Sequence, residues 1–222
     1  MLSKSIRLNL KFTTYHLKLR IPLKLFILFQ VLFNFQEGDL LFQDCDCGAI
    51  CEAIEDVTQL KDKRRFSHMA MVIEDSGTLK VIEANTKGVK IVALDSFLYR
   101  YTKAGKPKIV IGRWKEDYEY WIPKAIEYAR LKLDLPYDYA FVPNNDAYYC
   151  SELIYEAFKF ANLNEAVFPE VRMTFKKYRA KEFHPEFVRY YKKQKKKIPE
   201  GKLGTNPAQV SRIPYITLHY LY

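Results

Sequence analysis

The apolar residues of this chain fall into short runs and helical periods that alternate from Gly38 to Ala161. Gly38-Asp-Leu-Leu-Phe42 reads as a short buried strand. From Gly48 to Thr58 the apolar positions are Ile50, Ala53, Ile54 and Val57, a helical spacing. Phe66–Ile73 is a strand of Met, Ala and Val, and Asp75-Ser76-Gly77 is a turn signal. Leu79–Ala84 and Val89–Leu94 are two further strands, separated by Asn85-Thr-Lys-Gly88. Asp95 can cap a short helix reaching Tyr101, and Lys108–Gly112 is another strand. Pro123 suits the first turn of a helix running to about Leu133. Asn144-Asn145-Asp146 precedes a last main helix, from about Tyr149 to Ala161. No internal repeat is visible. A few antiparallel strands flanked by helices predict an α+β domain, and from about Tyr190 the chain reads as an extended surface tail.

Composition adds a body able to bury a core, at 49% hydrophobic and 15% aromatic residues. The net charge of +10 is unevenly placed. Residues 1–36 carry six basic and no acidic residues, and 172–202 carry twelve basic and three acidic ones. The stretch 37–171 is left at −6. A nucleic-acid groove needs its cations on the folded face, so no nucleic-acid partner is expected. The organisation follows: a leader over 1–36, a catalytic domain over 37–190 and a basic tail over 191–222. Within the leader, basic residues precede the apolar run Leu25–Phe33, which is short for a membrane span and resembles a secretory signal. Export to the periplasm or cell envelope is the expectation; a membrane-surface or core segment is the alternative, leaving the protein cytoplasmic. Cys45, Cys47, Cys51 and Cys150 are too few for a disulfide scaffold. A zinc site on the first three lacks a CxxC or HxxxH partner, so no metal or other cofactor is expected.

Cys150 opens the last main helix, where unpaired N–H groups and the positive end of the helix dipole favour a thiolate. Leu153, Ile154, Ala157, Phe158 and Ala161 share its face, which turns the thiol toward the body of the domain. His68 opens the strand Phe66–Ile73. With Asp75 and Ser76 at the centre of the turn, Ile73 faces Thr78 and His68 lies directly opposite Glu83. Side chains so paired lie on one face of the sheet, and a carboxylate there holds an imidazole's tautomer and charge. The plainer alternatives are a small buried cysteine and a His–Glu pair on a sheet surface. His16, His184 and His219 are poorer candidates.

Glu37-Gly-Asp-Leu-Leu-Phe42, Phe66-Ser-His-Met-Ala-Met-Val72, Val81-Ile-Glu-Ala84, Tyr137-Asp-Tyr-Ala-Phe141 and Tyr149-Cys-Ser-Glu-Leu-Ile154 occur in that order. Together they resemble the circularly permuted branch of the NlpC-type papain-like cysteine peptidases, the YiiX-like group. Gly204-Thr-Asn-Pro207 is similar to that group as well. His68 precedes Cys150 here, the reverse of ordinary papain-like order. The resemblance implies a small antiparallel sheet or barrel packed on helices. It implies Cys150 as nucleophile, His68 as base, Glu83 as the residue orienting it, and Tyr137 beside the substrate. The implied reaction is hydrolysis of amide bonds in peptides or peptidoglycan-derived cell-wall peptides, through a thioester. Two alternatives remain open: an acyltransferase or phospholipase acting on lipid acyl groups, like the lecithin retinol acyltransferase relatives, or an inactive binding module. Oligomeric state is not readable.

Overall fold

A computed structural model describes residues 35–59, 64–102 and 105–221. The leader expected over 1–36 lies outside them except for Phe35 and Gln36. Phe35 is buried, and the Gln36 N–H bonds an Asp39 carboxylate oxygen at 2.8 Å, so both already belong to the domain.

Six antiparallel strands form the main sheet: β1 (Leu40–Gln43), β2 (His68–Asp75), β3 (Thr78–Asn85), β4 (Gly88–Ala93), β5 (Ile109–Trp114) and β8 (Ile216–Leu221). Their order across the sheet is β4-β3-β2-β1-β5-β8. A separate two-stranded ribbon joins β6 (Val171–Arg172) to β7 (Leu203–Gly204). Every residue of β1, and Met69 to Ile73 of β2, is buried. The near-continuous apolar runs follow, because these central strands are covered on both faces.

The helices are α1 (Ala49–Thr58), α2 (Leu94–Tyr99), α3 (Ile122–Leu131), α4 (Cys150–Ala161), α5 (Pro185–Lys193) and α6 (Pro207–Val210), with a 3-10 turn over Glu116–Trp121 before α3. α4 is buried almost all round, packed against β2, β3 and α3. Leu153, Ile154, Ala157 and Phe158 meet Phe42, Met69, Met71 and Ile82 in the principal core. A second cluster is formed where Ala53 of α1 meets Phe175 and the α5 residues Phe187 and Tyr191.

Three expectations need correction. Asp95 does not cap α2: it sits inside the first turn, and Ala93 occupies the cap. The β2–β3 hairpin pairs Asp75 with Thr78 and Met71 with Ile82, so Ser76 and Gly77 form the turn instead of Asp75 and Ser76. Both have positive φ, 55° and 75°, as a two-residue primed turn requires. Residues 203–221 are no surface tail. Ile216–Leu221 form β8, paired along the full length of β5, and Leu203–Gly204 close the small ribbon. Ile216 and Leu221 are buried there, so the chain is drawn in by apolar side chains despite the lysines before it.

Gly88 ties this sheet to the loop that leads to the site. Its φ is +92°, and a Cβ there would run into the Leu135 carbonyl. That carbonyl accepts the Val89 N–H at 2.9 Å, while Asp134 N–H bonds Val89 O at 3.0 Å.

Candidate active site

His68 stands at the first position of β2 and Glu83 near the end of β3. Counting on from the observed register puts Glu83 across from Ala70, so His68 lies two residues along on the same face. The expected register is wrong by two residues, and a shift of two preserves the face where a shift of one would reverse it. His68 Nε2 lies 2.6 Å from Glu83 Oε2. Glu83 is fully buried and its carboxylate is saturated. Arg100, just past α2, donates from Nη1 and Nη2 to its two oxygens at 2.7 and 2.6 Å. Asn85 Nδ2 donates at 2.8 Å. Burial alone would protonate such a carboxyl, but His68 and Arg100 hold it down at about 2.

Cys150 is the first residue of α4 and is buried at 6% exposure. In that first turn the backbone N–H groups have no carbonyl within the helix to bond. With Nε2 turned to Glu83, Nδ1 is the ring nitrogen left for the Cys150 thiol, which stands near enough to act on the charge of His68. Burial works against a charged imidazole. The neighbouring Cys150 and the bonded Glu83 outweigh it and push His68 up to about 9. The structure therefore brings Cys150, His68 and Glu83 into one neighbourhood.

Tyr137 faces the same place from the loop between α3 and α4. It makes a parallel bridge with Tyr148, and buried Asp138 accepts the N–H groups of Ala140 and Val142 at 2.7 and 2.6 Å. Its phenol is pushed well above the ordinary range by burial and by the neighbouring Cys150.

Two cavities meet here, sharing Ile54, Ser67, Tyr137 and Phe141. The larger, of about 230 Å³, reaches Cys150 and is walled by Val57, Met173, Phe175 and Phe187. The smaller, of about 130 Å³, reaches His68 and is walled by Cys45, Arg100, Tyr101, Tyr139 and Tyr190. Tyr149, beside Cys150, accepts the Thr205 N–H at its hydroxyl, 3.1 Å away, which seats 205–207 as a wall of the larger cavity.

Sequence reasoning missed several neighbours. Arg100 and Asn85 hold Glu83, and only a three-dimensional contact reveals Arg100. Ser67 donates to buried Glu55 at 2.8 Å and accepts the Cys45 N–H at 3.0 Å, and burial lifts Glu55 to about 7. Cys47 and Cys51 form a disulfide across the first turn of α1. The four-residue spacing at the start of a helix was its only signal. Cys45 stays a free, buried thiol with its Sγ 3.2 Å from Gln43 Oε1.

A family model described as "permuted papain-like amidase enzyme, YaeF/YiiX, C92 family" matches residues 34–218. A solved structure described as the metalloprotein yiiX from Escherichia coli O157:H7 aligns with a TM-score of 0.66 at 24% identity, over 84% of this chain and 97% of that one. No curated protein matches. The residues of this site do not fit a metal centre. Glu83 is saturated by protein donors and Cys47 and Cys51 bind each other. Among the described residues no three His, Cys, Asp or Glu side chains are grouped to hold an ion.

Proposed function

The chain belongs to the permuted papain-like amidases of the YaeF/YiiX group and is a cysteine hydrolase; on that premise we propose that it cleaves amide bonds in peptides, peptidoglycan-derived peptides among them, with Cys150, His68 and Glu83 as a triad. The supporting observation is the pair of buried Glu83 and half-buried His68 near a cysteine that opens a helix and faces a cavity. His68 takes the thiol proton, and Cys150 attacks the amide carbonyl. The N–H groups at the start of α4 receive the developing oxyanion. The imidazolium then gives its proton to the leaving amine, which departs and leaves a thioester. His68 next draws a proton from water, the hydroxide attacks the thioester, and the acid and the free thiol are released. Glu83 remains ionised throughout, holding the ring and its charge.

The test is hydrolysis of amide substrates by wild type and Cys150→Ala, with mass spectrometry of the acylated enzyme. The triad requires that Cys150→Ala folds, forms no acyl-enzyme and has lost about 10⁴-fold or more in rate. Half the activity in a folded variant would remove Cys150 from the mechanism. The 1–36 segment is proposed to direct export, and intact Met1 on cytoplasmic protein from the host would refute that.

One observation favours a second substrate class for the same thioester chemistry. The cavity that reaches Cys150 has a largely apolar wall that includes Ile54, Val57, Phe141, Met173 and Phe175. Such a wall suits an aliphatic acyl group, as in an acyltransferase or phospholipase. Incubation with phospholipid in parallel with peptidoglycan fragments separates the two by product. A folded wild type inert on both, with Cys150 unreactive to alkylation, would leave the binding module.

A further inference from the structure

The strongest feature that this chemistry leaves unused is the charge of 172–202. Its twelve basic residues face three acids, whereas 37–171 is net acidic. All of them are exposed except Lys176, which is half-buried. Few are neutralised: Lys176 lies 3.6 Å from Glu200, Lys177 lies 3.9 Å from Asp56, and Arg189 pairs with Glu186. Among the described residues, Lys181, Lys192, Lys193, Lys195, Lys196, Lys197 and Lys202 meet no carboxylate.

Parts of this basic segment stand beside both cavities. Arg172 pairs with Leu203 in the small ribbon and lines the larger cavity, and Lys202 is adjacent. The C-terminal end of α5 carries the other cluster. Gln194 there donates to the Tyr139 carbonyl, and Tyr139 and Tyr190 wall the smaller cavity. Large apolar side chains are exposed among the charges: Tyr178 at 62%, Leu203 at 46% and Val188 at 45%.

We infer that this basic face docks on the surface of an anionic phospholipid bilayer, with the cavity openings turned toward the lipid. Lysine and arginine are drawn to anionic headgroups, and Tyr, Leu and Val side chains bury in the interfacial layer. A phosphodiester polymer answers the charges but offers nothing to Tyr178, Val188 or Leu203. Among the described residues no helix is long and apolar enough to cross a membrane, and the attachment inferred here is that of this face alone. The inference stands apart from the triad, because vesicle binding is read without turnover.

The test uses the full chain with vesicles of phosphatidylcholine alone and of phosphatidylcholine mixed with phosphatidylglycerol. Binding is expected only to the mixed vesicles and weakens as salt rises. Replacing the five lysines 192, 193, 195, 196 and 197 by glutamine reduces binding by more than about tenfold. Melting temperature and hydrolysis of a soluble amide stay as in wild type. Tyr178→Ala with Leu203→Ala weakens vesicle binding about threefold or more but leaves heparin binding unchanged. Equal binding to both vesicle types overturns the inference. So does a glutamine variant that binds like wild type, which would move the contact elsewhere, to residues 1–36 for example. An alanine pair without effect on vesicles makes the face a general polyanion site and also overturns it.

Discussion

Arg100 grips Glu83 with both terminal nitrogens, at 2.7 and 2.6 Å, on the carboxylate that also meets His68. Its cation thus offsets part of the negative field that charges the imidazole. Arg100→Gln leaves a fully buried carboxylate with one fewer counter-charge. Removing one partner of a buried pair costs about 3–5 kcal/mol, and the partial exposure of Arg100 places this case near the lower end. The uncompensated Glu83 also raises the proton affinity of His68. The alkaline limb of the rate profile, set near 9 by His68 in wild type, moves to higher pH. Denaturant unfolding and a pH–rate profile check the two effects separately.

Glu83→Gln acts in the opposite sense. With the anion gone, burial dominates at His68 and its proton leaves at lower pH, so the alkaline limb shifts down. The rate falls by about 10²–10³-fold, within the range of general acid–base assistance, and by less than in Cys150→Ala. His68→Ala approaches the cysteine variant. A Glu83→Gln profile superimposable on wild type would remove Glu83 from its orienting role.

Glu152 carries a pH-dependent liability. It is buried, accepts the Tyr149 N–H at 3.3 Å, and burial lifts it to about 8. The folded state therefore keeps a proton that the unfolded chain releases near the ordinary carboxylate value. Stability falls as pH rises from about 4.5 to 8 and levels off above that. Glu152→Gln keeps an acceptor for Tyr149 without the proton. The variant gains on wild type across that window and matches it at low pH, as thermal melts between pH 4 and 9 would report.

At Gly88 the left-handed backbone and the Leu135 carbonyl leave no room for a side chain. Gly88→Ala should cost about 2 kcal/mol or more. The strand cannot shift without moving Leu135, two residues before Tyr137, so KM should rise along with the loss in melting temperature.

The Cys47–Cys51 disulfide closes a small loop at the start of α1. Chain entropy gives such a loop about 2 kcal/mol. A reductant should lower the melting temperature of wild type by several degrees and leave Cys47→Ser with Cys51→Ser unmoved.

How far the chain could be read in advance depended on the range of the interactions. The strands of the central hairpins and the helix opened by Cys150 carry their periods locally, and the structure has them. The hairpin register did not follow from Asp75-Ser76-Gly77, because a primed turn draws Ser76 into positive φ and moves the centre by one residue. His68 and Glu83 still met, since parity survives a shift of two. Arg100 and the pocket wall at 205–207 arrive through contacts that no local pattern records. β8 was hidden because lysines, proline and glycine before it suggested solvent, whereas its own Ile216 and Leu221 fill the sheet edge.

That last strand has a consequence for the order of synthesis. Ile109 pairs with Leu221 and Trp114 with Ile216, so the outer edge of β5 has no partner until residues 216–221 have left the ribosome. The wall at 205–207 arrives only shortly before them. A nascent chain paused before Leu203 therefore presents both a bare strand edge, the form most open to pairing with other chains, and a cavity without one side. Cys150, already translated, is then in place with that side of its cavity still missing.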